Sequence, residues 1–143
     1  MAELIVMPDA EDLTRRFLDS ELGDGTACTG TAPSTWPPRS VYIRRTGGTT
    51  TDLVVDRAQI TLECRAALAG TAAQLAAHVR ALLSAAGRDG WLLEVPLLDV
   101  VEVSGPYLDP DPINPKLQRY TQTLVLAVRG EVSTITSPEG GTP

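Results

Sequence analysis

Aromatic residues are scarce in this chain. One Phe, two Trp and three Tyr occur in 143 residues, so aliphatic side chains must fill most of the core of what we expect to be one domain. Long apolar runs are also missing, since none approaches the roughly 20 residues that a membrane-spanning helix needs. The opening stretch, MAELIVMPDAEDL, has neither the basic start nor the apolar region of a secretory signal peptide, and we expect none.

Cysteine and histidine are nearly absent. Cys28 and Cys64 are the two cysteines, and without a Cys-x-x-Cys pair we interpret them as buried, reduced thiols, with a single disulfide as the alternative. His78 has no second ligand at a metal-binding spacing, and no serine lies in a Gly-x-Ser-x-Gly elbow. The sequence therefore predicts no catalytic residue, no metal and no cofactor.

Positive charge is in deficit, and the formal net charge is −6. Proteins that grip nucleic acid usually present a basic face, because the neutralisation of phosphates supplies most of their affinity. The total charge argues against such a function, and only a local basic patch would be compatible with it. DNA can pass close to an acidic surface without being held there.

Two segments have the periodicity of amphipathic helices. The first begins after Asp9, a candidate N-cap, and ends at Gly23, while the second begins at Thr71 and ends at Gly87. Each segment has apolar residues spaced for one buried face. These are Ala10, Leu13, Phe17 and Leu22 in the first segment, and Ala72, Leu75, Ala76, Val79, Leu82, Leu83 and Ala86 in the second.

Alternation with a period of two predicts the strands. In the clearest strand, the odd-numbered residues from Arg57 to Arg65 would face water. The core side would carry Ala58, Ile60, Leu62, Cys64 and Ala66. Further strands are predicted over 41–45, 91–103 and 119–130, with a short edge strand over 26–29 and with Pro96 at an edge or bulge. Residues 104–118 are rich in proline and are predicted to form a long loop.

These segments together predict an α+β domain over residues 1–130. It would have a small, largely antiparallel sheet of about four to five strands, with two helices packed on one face. Residues 131–143 would add a thin strand and a frayed tail.

The glycine pair Gly47-Gly48 could in principle mark a phosphate-binding loop. A P-loop needs Gly-x-x-x-x-Gly-Lys-Ser/Thr, and a dinucleotide site needs Gly-x-Gly-x-x-Gly at the start of a helix. The stretch TGGTTTDLVV has neither pattern and leads into a strand. We therefore interpret the pair as the turn of a hairpin, where glycine adopts positive φ without steric cost.

Charged residues on or beside the predicted strands have two interpretations. Rows of arginine can form solvated strand faces, or they can donate salt bridges to a neighbouring subunit. The arginines concerned are Arg44, Arg45, Arg57, Arg65, Arg119 and Arg129. The run DPDP at residues 109–112 lacks the glycine turn and the distal glutamate of a calcium loop, and we interpret it as a proline-stiffened acidic loop.

The order of several motifs resembles the tail terminator family of long-tailed actinobacterial phages. The motifs are MPDAEDLTRRFLDSEL, then VYIRRTGGTTTDLVVDRAQITLECRA, an alanine-rich helix, and SGPYLDPDPINPKLQRYTQTLVLAVRG. The resemblance covers roughly residues 7 to 130. It implies a small α+β domain without catalytic residues that assembles into a hexameric ring. Such a ring caps the head-proximal end of the tail tube, stops tube polymerisation and provides the surface for head attachment.

The resemblance also implies the partners and the location. The partners would be other copies of the chain, the major tail tube protein and a head-closure or neck protein, with genome DNA passing through unbound and no contact with a membrane. The protein would be part of the virion tail or neck and be assembled in the host cytoplasm. Candidate subunit or tube contacts are Arg44, Arg45, Gly47, Gly48, Asp56 and Arg57 near the turn, and Asp109, Asp111 and Arg119 near the loop.

Two other functions remain open from the sequence. The first is a head-closure or head–tail joining connector of the same virion neck, which would also form a ring. The second is a small cytosolic enzyme or ligand-binding domain, which would need a pocket with converging polar groups.

Overall fold

The computed structural model describes residues 2–135, which form eight strands and two helices. In chain order they are β1 (Glu3–Val6), α1 (Ala10–Leu22), β2 (Ala27–Thr29), β3 (Ser40–Thr51), β4 (Val55–Ala66), α2 (Ala69–Asp89), β5 (Trp91–Leu92), β6 (Val95–Leu108), β7 (Gln118–Arg129) and β8 (Glu131–Thr134).

The main sheet has six strands in the order β2-β3-β4-β7-β6-β5. Its pairs are antiparallel except for β2 with β3, which is parallel. Four of the strands are long, whereas β2 and β5 have only three and two residues. The α+β class and the mostly antiparallel sheet are therefore confirmed, with two short edge strands beside the four long ones.

A separate two-stranded ribbon joins β1 to β8, with Glu3 opposite Thr134 and Val6 opposite Glu131. The strand β1 has no counterpart among the predicted elements. The strand predicted within residues 131–143 is β8, and the predicted frayed tail falls on residues 136–143, which lie outside the described part of the chain.

One aliphatic core lies between the helices and the main sheet. From β4 it takes the predicted alternate residues, such as Ile60 and Leu62, which are fully buried. Leu13 of α1 and Leu75 of α2 belong to the same core cluster, so both helices cover the same face of the sheet. Burial of apolar area of this kind is the dominant stabilising contribution to such a domain.

The first helix has the predicted ends and the second does not. Asp9 accepts a hydrogen bond from the backbone N–H of Asp12 at 3.1 Å, and Gly23 follows α1 with φ of 75°. The helix α2 begins at Ala69 without a side-chain cap, so Thr71 lies inside its first turn.

Gly87 does not end α2, which runs on to Asp89 and is followed by the left-handed residue Gly90. A Cβ atom at position 87 would lie 2.8 Å from Cγ2 of Val100 on β6. Gly87 therefore allows the helix to pack closely against the sheet, and it does not mark the end of the helix.

The glycine pair is not the turn of the β3–β4 hairpin. Gly47 and Gly48 lie within β3 and pair with Gln59 and Ala58, just after a bulge at Thr46. The chain reverses after them, at Asp52 and Leu53, which have φ of 52° and 62°. The hairpin itself is as predicted, but its turn is further along the chain.

The predicted long loop over 104–118 is shorter in the structure. The strand β6 continues to Leu108 and β7 begins at Gln118, so only residues 109–117 connect them. Register irregularities at two points let the strand pass Gly105 and Pro106 while it still pairs Tyr107 with Thr121. The proline therefore sits in an irregular stretch of strand, where the missing N–H is tolerated.

Candidate functional site

The sheet face opposite the helices is covered at one end by two proline-rich loops, residues 30–39 and 109–117. Sequence alternation predicts that this face of β4 is wet, and that prediction is wrong at this end. Thr61, Glu63 and Arg65 are only 7%, 6% and 2% exposed. Trp36 from the first loop lies over Arg65, with the guanidinium carbon 3.7 Å from the ring centroid.

Beneath the loops lies a group of charged side chains that we call the ion cluster, made of Glu63, Arg65, Asp109, Asp111 and Arg119. The Nη2 of Arg65 donates to Oε1 of Glu63 at 2.7 Å and to Oδ2 of Asp111 at 3.3 Å. Since Arg65 is on β4 and Asp111 is in the loop, this pair ties the 109–117 loop to the centre of the sheet.

Arg119 on β7 adds a second tie to the same loop. Its Nη2 lies 3.3 Å from Oδ2 of Asp109, and its Nη1 lies 3.4 Å from Oε1 of Glu63. Thr121 donates its hydroxyl to Oδ2 of Asp109 at 2.8 Å. From the outer side, Nη2 of Arg44 lies 3.1 Å from Oε2 of Glu63. The cluster and Arg44 together balance three carboxylates with three guanidinium groups.

Two donor nitrogens of Arg65, Nε and Nη1, are buried without a hydrogen-bond acceptor among the described residues. The stack on Trp36 supplies part of the missing stabilisation, since an aromatic face attracts a guanidinium group. Burying the Arg65 guanidinium group costs free energy of desolvation. In return, its partners fix the position in which the loops dock on the sheet.

The pKa of Asp111 reports how the loop is held. Partial burial raises this pKa, but hydrogen bonds from the Asn114 side chain, the Ile113 N–H and Arg65 outweigh it. The pKa of Asp111 therefore lies below its ordinary value of 3.8. Stabilisation by the ionised carboxylate is fully present above the unfolded-state pKa and is lost as the pH falls through the lower folded-state value.

We expect Asp111→Asn to be less stable than the wild type at pH 7, because the neutral amide attracts Arg65 and Arg119 less strongly than a carboxylate does. The difference should shrink below about pH 4, where the Asp111 carboxylate of the unfolded wild-type chain begins to be protonated, and it should vanish once the folded protein is protonated as well. Thermal unfolding of both proteins between pH 7 and pH 3 measures this. A constant difference in melting temperature over the whole range would contradict the role given to the carboxylate.

The candidate residues near the turn form a second group, apart from the ion cluster. Arg45 makes a bidentate pair with Asp56, with nitrogen–oxygen distances of 2.5 and 2.7 Å. Its backbone N–H donates to Oε2 of Glu11 at 2.8 Å, which ties α1 to β3. Arg57 donates to the hydroxyl of Thr51 at 3.1 Å.

The structure thus divides the predicted contact residues between two places. Arg45, Gly47, Gly48, Asp56 and Arg57 lie on and beside the β3–β4 hairpin. Asp109, Asp111 and Arg119 lie in the ion cluster, and Arg44 borders it. Most of these charges pair within the chain. Their contact with other subunits stays a prediction.

Trp36 and Glu63 are not among the candidates that the sequence indicates, and the sequence indicates Arg65 only as a solvated charge or a salt-bridge donor to another subunit. Glu63 and Arg65 were assigned to a wet face, and nothing local to β4 indicates that a loop from residues 30–39 covers them. A partial signal was present, because a Trp within the proline-rich stretch TAPSTWPPR needs a surface to pack on.

Among the clefts on the surface of the described residues, three have a mainly apolar lining. One of about 590 Å³ lies at the base of the ribbon, between Met7, Pro96 and Gly130. Another of about 530 Å³ lies between the proline-rich loops, beside Trp36 and Ile113. The third, of about 220 Å³, lies between the C-terminal ends of α1 and α2.

The strand β6 also presents an unpaired edge. The strand β5 pairs with Val95 and Pro96, and Leu97 donates its N–H to the carbonyl of Gly90, so β6 is outermost from Leu98 to Leu108 within the described sheet. Exposed apolar side chains accompany this edge: Leu98, Val101, Val103, Tyr107 and Leu108. Long apolar edges are uncommon in monomeric proteins because they pair with other chains.

Both cysteines are free thiols. Cys28 on β2 and Cys64 on β4 are each opposite Val41, so the strand β3 separates them. Burial, the largest cause, raises the pKa of Cys28 to about 11 and that of Cys64 to about 12. Residues on strands two places apart in a sheet are too far from each other for a disulfide bond, which needs Cα atoms within about 7 Å.

Within residues 2–135, no group of three or more His, Cys, Asp or Glu side chains is arranged to hold a metal ion. His78 is exposed on α2. None of the helices described is both long and apolar enough to cross a membrane.

No protein-family model matches the chain, and a search of the curated proteins found no match either.

Proposed function

We propose that this protein is a phage tail terminator, which forms a ring on the head-proximal end of the tail tube. The ring stops tube polymerisation, receives the head and lets DNA pass through its centre. The observation that carries the proposal is the unpaired edge of β6 with its exposed apolar side chains, such as Val101 and Val103. A surface of this kind suits a chain whose function is to contact other chains.

Two further features support an assembly function. The ion cluster and the Arg45–Asp56 pair fix the loops and the hairpin to the sheet, and a rigid subunit loses less entropy when it assembles. The net charge of −6 suits a channel through which DNA slides without being held. The motif order of the sequence favours a terminator over other ring-forming proteins of the virion neck.

The test is to mix the purified protein with the major tail tube protein of the same phage. We expect light scattering to give a mass several times that of the 15.2 kDa chain, alone or with tube protein present. Negative-stain images should show a ring at one end of each tube, and tubes should stop growing when the protein is added. A protein that stays monomeric in the presence of tube ends contradicts the proposal.

The same images separate the terminator from a head-closure connector. A connector of that kind binds the portal side of the neck and leaves tube growth unchanged. For an enzyme or ligand-binding domain, the expected result is instead a monomer that ignores tube protein. Each of these outcomes replaces the terminator with the corresponding alternative.

A further inference from the structure

The cleft between α1 and α2 combines an apolar lining with an acidic rim. Its apolar part includes Phe17, Leu82 and Trp91, and the Trp91 side chain is 51% exposed although it lies beside the core. Glu21 and Asp89 line the same cleft, and neither carboxylate forms a salt bridge within residues 2–135. A volume of about 220 Å³ is suited to one or two inserted side chains.

The loop 109–117 has the complementary chemistry. Ile113 is 85% exposed, the highest value among the large apolar residues of the described chain. Lys116, the only lysine of the protein, is exposed three residues later and forms no salt bridge among the described residues. The ion cluster holds the base of this loop through Asp109 and Asp111, so Ile113 and Lys116 are presented from a fixed support.

The loop and the cleft lie at opposite ends of the molecule. Gln118, where the loop ends, pairs with Ala66, and α2 begins three residues after Ala66. The loop therefore lies near the start of α2, while Asp89 is its last residue. A helix of 21 residues is roughly 30 Å long, so Lys116 and Asp89 of one chain are too far apart to touch.

We infer that, in the assembled ring, the 109–117 loop of one subunit docks into the α1–α2 cleft of the next. Ile113 inserts beside Trp91, and Lys116 faces Glu21 and Asp89. The inference rests on the proposed function and names the contact by which copies of the chain join. Because the two surfaces are different and lie at opposite ends, the contact is heterologous, which is the kind that generates rings. The positive charge of Lys116 is opposite to the carboxylates on the rim of the cleft, and this complementarity identifies a second copy as the occupant.

The single lysine makes the contact accessible to zero-length cross-linking. A carbodiimide joins an amine directly to a carboxylate, so it reports only groups in contact. Applied to the full chain with tube protein present, it should give linked dimers and higher species on a denaturing gel. Mass spectrometry should find Lys116 joined to Glu21 or Asp89 in these species. If the linked species carry Lys116 on other carboxylates only, the contact is wrong.

Charge reversal tests the same contact by assembly. Lys116→Glu should shift the protein concentration needed for ring formation upward by at least about tenfold, as expected when a charged pair at an interface turns repulsive. Adding Asp89→Lys to Lys116→Glu should restore assembly, because the pair is then reversed in sign. Arg129→Glu changes the net charge by the same amount at an exposed position outside both surfaces, and it should leave assembly unchanged.

The outcomes distinguish this contact from the proposed function itself. If Lys116→Glu forms rings that cap tubes at the same protein concentration as the wild type, the docking contact is refuted and the terminator function stands. If the wild type forms no ring with tube protein present, the terminator function and the contact are both refuted.

Discussion

Gly48→Val is expected to lose about 2–6 kcal/mol of unfolding free energy, the sum of backbone strain and steric overlap, each about 1–3 kcal/mol. Gly48 has φ of 116°, which side chains with a branched Cβ rarely adopt. A Cβ atom at this position would also overlap the carbonyl oxygen of Arg57 on the neighbouring strand. Small domains are stable by only about 5–15 kcal/mol, so a loss of this size removes a large share of the unfolding free energy.

The matched control is Gly47→Val, which makes the same change one residue earlier. Gly47 also has positive φ, at 153°, but a Cβ atom there would meet nothing within 4 Å. We therefore expect Gly47→Val to lose only the strain of about 1–3 kcal/mol. Urea denaturation of the three proteins measures the difference. Equal losses in the two variants would show that the approach of Arg57 to Gly48 is not what requires glycine.

Arg65→Met is expected to lose about 3–5 kcal/mol, the usual effect of removing one partner from a buried ion pair. Methionine fills much of the arginine's volume but leaves Glu63 and Asp111 with less positive charge around them. Because Asp111 ties the 109–117 loop to β4, the loop should also lose its fixed position. In a Trp91→Phe background Trp36 is the only tryptophan, and its emission should shift to longer wavelength as the stack on Arg65 is lost.

Arg44→Met is the control for this variant, since Arg44 pairs with the same carboxylate, Glu63, from an exposed position. An exposed pair contributes at most about 1 kcal/mol, so its loss should be small. The double variant Arg65→Met/Glu63→Gln should recover part of the stability lost by Arg65→Met, because it leaves one buried carboxylate fewer unpaired. Similar losses for Arg44→Met and Arg65→Met would mean that burial of Arg65 does not set the size of the effect.

The parts of the fold that sequence analysis predicts are those set by local patterns. Alternation along β4 predicts its core face because Ile60 and Leu62 belong to a long regular strand. Asp9 and Gly23 predict both ends of α1 because each acts on its own neighbours, through a side-chain cap and a positive φ. Neither kind of signal depends on residues distant in the sequence.

The errors occur where a distant residue determines the local structure. Gly87 has the composition of a helix end, but Val100 on another element requires a glycine inside the helix. The pair Gly47-Gly48 has the composition of a turn, but Arg57 requires Gly48 inside a strand, and the turn falls to Asp52 and Leu53. Leu53 is not a typical turn residue, so the sequence does not point to it.

The candidate site was predictable only in part, for the same reason. Asp109, Asp111 and Arg119 could be selected because charges in a proline-rich segment are conspicuous. The place of Arg65 in the ion cluster could not be predicted from the sequence, because its burial depends on Trp36. Trp36 is 29 positions earlier in the chain and contacts Arg65 only after the loop has folded across the sheet. Burial of a polar strand face is a tertiary property, and period-two alternation carries no information about it.

The ribbon of β1 and β8 has a consequence for the order of folding. Its pairing closes a loop of roughly 125 residues, which from the unfolded chain would cost about 4 kcal/mol of entropy for only four residue pairs. Once the main sheet is formed, β7 and Pro8 hold the two strands side by side and most of that cost is gone. We therefore expect the ribbon to form after the main sheet, and we expect its two strands to separate while the core stays intact. A neighbouring subunit that touches the ribbon would thus act on a part of the molecule whose opening is independent of global unfolding.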